Sequence, residues 1–409
     1  MSRDETLYSW LRLALEPNLT PSRKRALLAH AGLPEDVYAL GHGQLLKLLD
    51  PVVARQLASP PSAELAAAID AAIAWAEQPQ HHILTLADTS YPAGLLEIHD
   101  PPLVLYVVGD LQRLALPAIA IVGSRSATPG GCDNAHAFAQ HLAQAGWCVV
   151  SGLATGIDAA AHEGALAAGA EGAGTIAVIA TGADLVYPAR HRELAHRIAA
   201  QGAIVSELPL GTRAERYQFP RRNRLIAGLA RGVLVVEAAL QSGSLITARL
   251  AGELGREVFA IPGSIHSPLA RGCHALIRQG AKLTETAEDI LSELGMAAGT
   301  TPGGASLIRK RSTRSRLTAE VPEPVGPGPE FLKVHDAVST TDGTSKGNNE
   351  IGDPAAGVLH ALGFDPVHID DLQRRTGLAM SALHAALLQL ELDAQVVRLD
   401  GGRYQRRGA

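Results

Sequence analysis

The sequence predicts an α/β protein with a doubly wound, mostly parallel β-sheet. Two observations carry this prediction. Uninterrupted apolar runs recur along the central half of the chain, and each ends in a turn rich in glycine, serine or threonine. Alanine-rich segments with helical spacing separate these runs. A short apolar run, a glycine turn and a helix are typical of a buried parallel strand that leads into a crossover helix.

Six apolar runs are predicted to be the parallel strands of this sheet. They span residues 118–122, 147–151, 175–180, 202–207, 232–237 and 257–261. Upstream, prolines favour extended backbone before residues 103–108, which we predict to be an edge strand of the same sheet. The turns after parallel strands gather at one edge, where backbone N–H groups and helix N-termini can face a ligand. We therefore expect an anion to bind at this edge.

Length and composition predict a central domain with smaller satellites. The chain has 409 residues, of which 46% are hydrophobic and 4% aromatic. This length exceeds what one hydrophobic core usually supports. We predict a helical domain over residues 1–80, a core domain over 81–295, a flexible linker over 296–353 and a winged-helix-like domain over 354–409.

The N-terminal segment is predicted to form short helices. Apolar residues between Leu7 and Leu15 share one helical face, and Thr20 followed by Pro21 is typical of a capped helix start. Small helical domains of this kind bind nucleic acid or protein, or serve only as packing modules. The sequence leaves both interpretations open.

The C-terminal segments differ from the core in composition. Residues 296–353 are rich in glycine, proline, serine and threonine, which predicts a flexible linker. The tail then shows a helix, a turn, a second helix and a hairpin, which is the order of a winged helix. The second helix, over 381–392, contains no arginine or lysine. Because groove-reading helices need cations for phosphates, we favour a protein-contact or packing role for this domain.

Charge and cysteine content indicate the compartment and the location of basic surface. The net charge of −5 does not by itself suggest a nucleic-acid partner, but residues 190–231 hold nine arginines against three glutamates. Three widely spaced cysteines form neither a metal pattern nor a disulfide framework. No signal peptide and no membrane-spanning run is predicted. We expect a cytoplasmic protein.

The first glycine turn does not match known cofactor loops. It lacks the second and third glycines of G-x-G-x-x-G, and the motif G-x-x-x-x-G-K-[ST] is absent from the chain. Nor do the His, Cys, Asp and Glu residues show metal-ligand spacing. The sequence therefore predicts no bound cofactor and no metal.

Small polar residues in three turns predict an anion site of another kind. Serine and glycine let phosphate oxygens approach backbone N–H groups, and Arg125 can clamp an oxyanion through two donors. The same residue types also act as ordinary helix caps, but their recurrence in one sheet favours a binding site. The predicted site residues are Gly123, Ser124, Arg125, Gly152, Thr155, Gly156, Ser242, Gly243 and Ser244.

The segment 217–230 places cations beside aromatic rings. Arg221, Arg222 and Arg224 closely follow Tyr217 and Phe219, and we predict that they lie just before a helix. Arginines can bind phosphates while bases stack on Tyr217 or Phe219, a combination suited to single-stranded nucleic acid. The alternative interpretation is a solvated turn in which Phe219 is anchored in the core.

No catalytic residues are predicted. Asp158 and His162 are four residues apart in a helical stretch, and Glu207 and Glu237 end strands. A hydrolase needs a nucleophile or a metal with an oriented partner, and no such pattern is present. We interpret Asp158 as orienting the glycine turn, with His162 packed beside it.

Four motifs together resemble the DNA-processing protein A family, DprA, also called Smf. The resemblance spans roughly residues 91–294 and is specific in combination. The N-terminal helices are similar to the family's sterile-alpha-motif-like domain, and the tail is similar to its winged-helix domain. The motifs are Ala120-Ile-Val-Gly-Ser-Arg125, Val150-Ser-Gly-Leu-Ala-Thr-Gly-Ile-Asp158 with Ala161-His162, Phe219-Pro-Arg-Arg-Asn-Arg-Leu-Ile-Ala-Gly-Leu229, and Glu237-Ala238 with Ser242-Gly-Ser-Leu-Ile-Thr-Ala248.

The resemblance implies an extended Rossmann-like core that binds single-stranded DNA and forms homodimers. It also implies a role in natural transformation: protecting incoming single strands, relieving the block by single-strand-binding protein and loading the recombinase RecA. The resemblance also implies that Asn223 contacts DNA, beside the already predicted Arg221, Arg222 and Arg224. Two departures are the arginine at 221, where many relatives carry lysine, and the long linker.

Two other readings stay open on the sequence. Glycine turns of this kind also occur in phosphoribohydrolase-like nucleotide enzymes, whose P-G-G-x-G-T-x-x-E signature is missing here. A protein-interaction scaffold with a vestigial anion site is the third reading.

Overall fold

The computed structural model describes residues 3–295, 333–334 and 354–407. The predicted linker, 296–353, lies outside the described residues except for Lys333–Val334. The strands are β1 (His81–Thr85), β2 (Val104–Gly109), β3 (Ala118–Val122), β4 (Cys148–Ser151), β5 (Thr175–Val178), β6 (Leu185–Val186), β7 (Ala203–Ser206), β8 (Gly232–Val235), β9 (Glu257–Ala260), β10 (Lys282–Leu283), β11 (Lys333–Val334), β12 (Val367–His368), β13 (Val396–Leu399) and β14 (Arg403–Arg406).

The helices account for most of the remaining described chain. They are α1 (Arg3–Leu15), α2 (Pro21–Ala31), α3 (Pro34–Ala39), α4 (His42–Leu45), α5 (Pro51–Ala58), α6 (Ala63–Ala76), α7 (Ala93–Leu96), α8 (Pro129–Gln144), α9 (Ile157–Ala167), α10 (Arg192–Gln201), α11 (Gln218–Leu229), α12 (Gly243–Glu253), α13 (Arg271–Arg278), α14 (Ala287–Leu294), α15 (Pro354–Leu362), α16 (Ile369–Thr376) and α17 (Met380–Leu392).

A nine-stranded sheet organises the central domain. Its strand order is β1-β2-β7-β5-β4-β3-β8-β9-β10, and all neighbouring pairs from β7 to β10 are parallel. The six predicted parallel strands are confirmed as β3, β4, β5, β7, β8 and β9. Strands β4, β5 and β7 lie on one side of β3, in the order β4, β5, β7 moving away from it. The chain then crosses back, and β8 pairs with the other side of β3. A doubly wound sheet opens a crevice at such a reversal, between the loops that follow β3 and β8.

The prediction that residues 103–108 form an edge strand was wrong. Strand β2 pairs antiparallel on both sides: Val107 lies opposite Val205 of β7 and opposite His82 of β1. The edge is therefore β1. All six residues of β2 are buried, because strands pair with both of its edges and both of its faces pack in apolar clusters.

Helices cover both faces of the sheet. Ile119 and Ile121 of β3 pack with α8 and α9 on one face, whereas Ala120 and Val122 pack with α11 and α12 on the other. Successive side chains of a strand point to opposite faces, so a run that is apolar throughout is buried on both. The short side chain of Ala120 fits this packing, as expected for a core poor in aromatic residues.

The N-terminal helices form part of one apolar cluster with the sheet. Trp10 and Leu27 belong to the same buried cluster as Tyr106 and Ile204 of the sheet. The Thr20 side chain accepts a hydrogen bond from the Arg23 amide at 3.4 Å, with Pro21 opening α2 as predicted. These helices thus pack directly on the core.

The C-terminal segment is a winged helix, as predicted. Helices α15 to α17 pack on the three-stranded sheet β12-β14-β13, and the hairpin turns at Gly401 and Gly402, both with φ of 72°. Arg375 of α16 contacts the central domain through an ion pair of 2.9 Å with Asp133 of α8. An exposed pair of this kind contributes at most about 1 kcal/mol.

None of the helices within the described residues has the length and apolar character that crossing a bilayer would require.

Candidate functional site

A cavity of about 660 Å³ opens at the C-terminal ends of the paired strands β3 and β8, beside the loops that follow them. This is the strand-end edge at which the sequence placed an anion site. Nine of the fourteen predicted site residues line the cavity: Gly123, Ser124, Arg125, Phe219, Arg222, Asn223, Ser242, Gly243 and Ser244. The remaining five, described below, are Gly152, Thr155, Gly156, Arg221 and Arg224.

The first turn, after β3, has no room for a side chain at its glycine. A Cβ added at Gly123 would lie 2.5 Å from Cγ1 of Ile157. The Ser124 hydroxyl accepts a hydrogen bond from the Ser126 amide at 3.2 Å, which tightens the turn. Arg125 is exposed, and its Cζ lies 5.0 Å from the ring centroid of Phe219. The turn therefore holds a cation over an aromatic ring at the cavity.

The second turn, after β4, supports the first turn and lines the cavity only through Ala154 and Asp158. The Thr155 hydroxyl donates to the carbonyl of Arg125 at 3.1 Å. Gly156 has φ of 76°, and a Cβ there would lie 2.3 Å from the carbonyl oxygen of Ser124. Only glycine fits both constraints. Thr155 and Gly156 thus set the backbone position of Ser124 and Arg125.

Two buried, oppositely charged side chains, Asp158 and Arg222, lie next to these turns and interact electrostatically. The carboxylate of Asp158 accepts hydrogen bonds from the amides of Gly152 at 3.1 Å and Ala154 at 3.3 Å. This confirms that Asp158 orients the glycine turn. Burial raises the pKa of Asp158, while the Arg222 guanidinium and these amides favour its charged form. Burial lowers the pKa of Arg222 to about 10, and Asp158 opposes that shift.

Arg222 combines burial with access to the cavity. It is 5% exposed, and a Cβ added at Gly152 would lie 1.6 Å from its Nη1. Its Nε has no hydrogen-bond partner among the described residues. A buried donor without a partner costs about 1–3 kcal/mol, more when charged. Arg222 also lines the cavity, so its guanidinium is available to an anion that binds there.

The N-terminus of α12 forms another wall. Ser242 caps the helix, its hydroxyl accepting from the Ser244 amide at 3.3 Å. The side-chain amide of Asn223 donates to the carbonyl of Gly243 at 3.3 Å, which ties α11 to this helix start. A helix N-terminus presents unpaired amides and a partial positive charge. Together with Arg222, it makes this wall suited to phosphate.

The arginines of the Phe-Pro motif separate onto two faces of α11. They lie within the first two turns of α11, so the prediction that they precede the helix was wrong. Arg222 faces the cavity, whereas Arg221 and Arg224 line a second cleft of about 80 Å³ beside Lys24. Glu207 pairs with both, at 3.5 Å from Arg221 Nε and more closely with Arg224. Arg221 is 43% exposed and Arg224 only 14%.

The N-terminus of α8 is occupied by the protein's own carboxylate. Glu237 accepts hydrogen bonds from the amide of Thr128 at 2.9 Å and its hydroxyl at 2.6 Å. A Cβ added at Gly131 would lie 2.5 Å from Cδ of Glu237. Burial raises the pKa of Glu237, and the bonds from Thr128 oppose this. Doubly wound nucleotide-binding folds place a phosphate at the first such helix. Glu237 takes that position here.

Sequence reasoning missed several cavity residues. Tyr187 is the clearest: its ring centroid lies 5.8 Å from that of Phe219. It follows the two-residue strand β6, and no motif or periodicity marks it. Tyr217, named in the sequence as a possible stacking residue, is 68% exposed and does not line the cavity. Other lining residues absent from the prediction are Arg216, Gln241 and Thr247.

His162 packs beneath the second turn as an uncharged ring. Its Nδ1 lies 2.7 Å from the hydroxyl of Thr175, which donates to the carbonyl of Val149. Nδ1–H therefore donates a hydrogen bond to the hydroxyl oxygen of Thr175. Burial lowers the pKa of His162 to about 3, with His191 and Arg222 acting in the same direction.

This burial predicts a loss of stability in acid. Below pH 6.5 the unfolded chain binds a proton at His162, which the folded protein accepts only near pH 3. Between these two pH values, this group lowers the free energy of unfolding by about 1.4 kcal/mol for each unit by which the pH is lowered. Urea unfolding at pH 7.5 and pH 5.0 should show a loss that is about 2 kcal/mol smaller in His162→Gln than in the wild type. His30→Gln, at an exposed position, is the control, and equal losses in all three proteins would contradict the assignment.

Comparison with known proteins agrees with this architecture. Residues 82–295 match the model of the DNA recombination-mediator protein A family, and residues 348–402 match the DprA winged-helix domain. Protein Smf from Synechocystis is 37% identical over 342 residues, covering 81% of each chain.

Two solved structures are also similar. DNA processing protein A from Streptococcus pneumoniae has a TM-score of 0.61 at 38% identity, covering 70% of this chain and 98% of that one. The protein from Helicobacter pylori, described for its single-stranded DNA binding mode, has a TM-score of 0.47 at 31% identity, covering 52% and 95%. On the family match and the Synechocystis relative, the chain belongs to the DNA recombination-mediator protein A family, DprA or Smf.

Proposed function

We propose that this protein binds single-stranded DNA at the strand-end cavity without breaking bonds. The observation that carries the proposal is the composition of one cavity: a buried guanidinium with an unpartnered Nε, a helix N-terminus and aromatic rings. Phosphate-binding groups combined with stacking surfaces suit single-stranded nucleic acid. Membership of a DNA-processing family supports the same ligand.

The cavity residues bind the phosphates, and the supporting turns hold these residues in position. In this proposal Arg125, Arg222 and the start of α12 hold phosphate oxygens, and Asn223 positions α12. Gly152, Thr155 and Gly156 act through the backbone they support. A strand that continues over the start of α11 would meet Arg221, the more exposed of the two arginines held by Glu207.

The more specific role that we propose is the one that the family resemblance implies. We propose that bound strands are protected and passed to RecA, with relief of the block by single-strand-binding protein, and that the protein works in the cytoplasm as a homodimer through its core domain. The sheet ends at the short strand β10, where Leu283 is 50% exposed. Within the described part of the chain no further strand pairs with β10, and an unpaired strand edge with an apolar side chain is a surface that a second copy can cover.

Fluorescence anisotropy in a salt series tests the proposal. Labelled single-stranded oligonucleotides should bind more tightly than the duplex of the same sequence. The logarithm of affinity should fall with the logarithm of salt by about 0.7 per phosphate contacted. A nucleoside monophosphate should compete poorly, because it offers one phosphate and one base where the strand offers several.

The competitor separates this proposal from the nucleotide-enzyme reading. Full displacement of the strand by the monophosphate, with release of free base, would indicate a phosphoribohydrolase-like enzyme. Equal affinity for single strand and duplex would remove the role assigned to exposed bases. Glu237, which occupies the helix position used by nucleotide phosphates, is the structural argument against the enzyme.

A further inference from the structure

Tyr187 and Phe219 together form an aromatic wall of the cavity. Their ring centroids are 5.8 Å apart and their planes are inclined by 53°. Tyr187 is 36% exposed, and Phe219, in the first turn of α11, is partly buried. Because the two rings are tilted rather than stacked, neither fully covers the face of the other. Both rings line the cavity, and the partial exposure of Tyr187 leaves aromatic surface available to a planar group there.

The two rings are held differently. Phe219 belongs to α11, next to the arginine turn, and Arg125 lies over it at 5.0 Å. Tyr187 comes from the segment after β6, which is anchored by His191, whose Nδ1 lies 2.9 Å from the carbonyl of Leu153. Two separate chain segments thus bring aromatic surface to one cavity.

The same cavity supplies partners for a phosphate. Arg222 and the N-terminus of α12 line it along with the two rings. Its volume of about 660 Å³ lies within the range of small-ligand sites. A nucleotide unit consists of a planar base and an anionic phosphate, so the cavity offers complementary surface to both parts.

We propose that Tyr187 stacks on an unpaired nucleobase of the bound strand and thereby contributes to the choice of single strand over duplex. The inference rests on the proposed function and adds to it a specificity-determining residue outside the recognised motifs. In a duplex both faces of each base are covered by its neighbours, so a base can reach Tyr187 only after unstacking. A single strand offers such a base at much lower cost.

Tyr217 provides the matched control. It is also a tyrosine and precedes Phe219 by two residues, yet it is 68% exposed and does not line the cavity. If general aromatic or hydroxyl contacts near α11 explained binding, loss of Tyr217 would matter as much as loss of Tyr187. The geometry assigns the effect to Tyr187.

Anisotropy with intact and abasic oligonucleotides tests the assignment in the full-length protein. Tyr187→Ala should weaken binding to a thymidine oligonucleotide by roughly 5- to 150-fold, the range for one stacked base. Its affinity for the abasic strand should stay close to the wild-type value. Tyr187→Phe should retain wild-type binding, since it keeps the ring, and Tyr217→Ala should bind like the wild type. The salt dependence should be the same in all four proteins, because no phosphate contact is removed.

Photo-cross-linking gives a second measurement that does not depend on a variant. Wild-type protein irradiated with a strand carrying 5-iododeoxyuridine should yield a cross-linked peptide that contains Tyr187. Equal losses for Tyr187→Ala on intact and abasic strands, an unchanged affinity, or cross-links confined to Tyr217 would overturn the inference and leave the proposed function standing. Failure of the wild type to bind single strands at all would overturn both.

Discussion

Arg125→Gln combined with Arg221→Gln is expected to weaken single-stranded DNA binding by about 10- to 100-fold at low salt, for all base sequences alike. Both side chains are exposed, Arg221 at 43%, so the protein should fold normally. Two lost phosphate contacts should reduce the salt slope by roughly 1.4, since each releases about 0.7 of a counterion from a single strand. Anisotropy from low to moderate salt measures both quantities.

The control for this variant carries the same change in charge. Arg55→Gln with Arg249→Gln removes two exposed arginines that do not line the cavity, and its affinity should remain near the wild-type value. The two single variants show how much of the lost affinity comes from Arg125 in the cavity and how much from Arg221 in the second cleft. If Arg125→Gln binds single strands with wild-type affinity and wild-type salt dependence, Arg125 is not part of the site. The same result for Arg221→Gln would confine the strand to the cavity.

Gly156→Ala is expected to lower the free energy of unfolding by about 2–6 kcal/mol, adding unfavourable backbone conformation to overpacking. The residue has φ of 76°, and its new Cβ would lie 2.3 Å from the carbonyl oxygen of Ser124. That atom belongs to the backbone and cannot turn away as a flexible side chain could. Protein that still folds should bind single strands more weakly, because the clash displaces Ser124 and Arg125. Urea unfolding and anisotropy measure the two effects.

Gly169→Ala separates the two causes. Gly169 has a similar φ of 75°, but a Cβ there would meet nothing within 4 Å. Its destabilisation should reflect backbone conformation alone, about 1–2 kcal/mol, and its DNA binding should be unchanged. If Gly156→Ala and Gly169→Ala are equally destabilised and bind equally well, the close approach to Ser124 has no consequence.

Local patterns were sufficient for most of the fold. Five of the six parallel strands are short runs buried on both faces, and β9 is buried over its second half. Such a run is visible without knowledge of its neighbours. The cap at Thr20 and the Gly-Gly hairpin turn near the C-terminus are equally local. Strand β1 escaped prediction because His81-His82-Ile-Leu-Thr85 carries no clear strand pattern. The edge assignment of β2 failed with it.

The site was predicted in outline but not in its arrangement. Once α11 is known to begin at Gln218, helical spacing explains the separation of its arginines. Arg222 lies three residues from Phe219, so the two share a face. Arg221 and Arg224 are also three apart and share another face, which meets Glu207. The error lay in the helix start, which no sequence cap marks: Tyr217 makes no side-chain cap bond.

By itself, the sequence determined the parallel sheet, the glycine turns at its strand ends, the winged-helix order of the tail and the family. These depend on contacts between residues close together in the chain or on motifs. Only the tertiary structure decided which cations reach the cavity, that Glu237 occupies the N-terminus of α8, and that Tyr187 stands beside Phe219. Each of these three features depends on contacts between segments that are distant in sequence; Thr128 and Glu237, for example, are 109 residues apart. Burial and approach between such segments are set by how the whole sheet packs, so no local pattern records them.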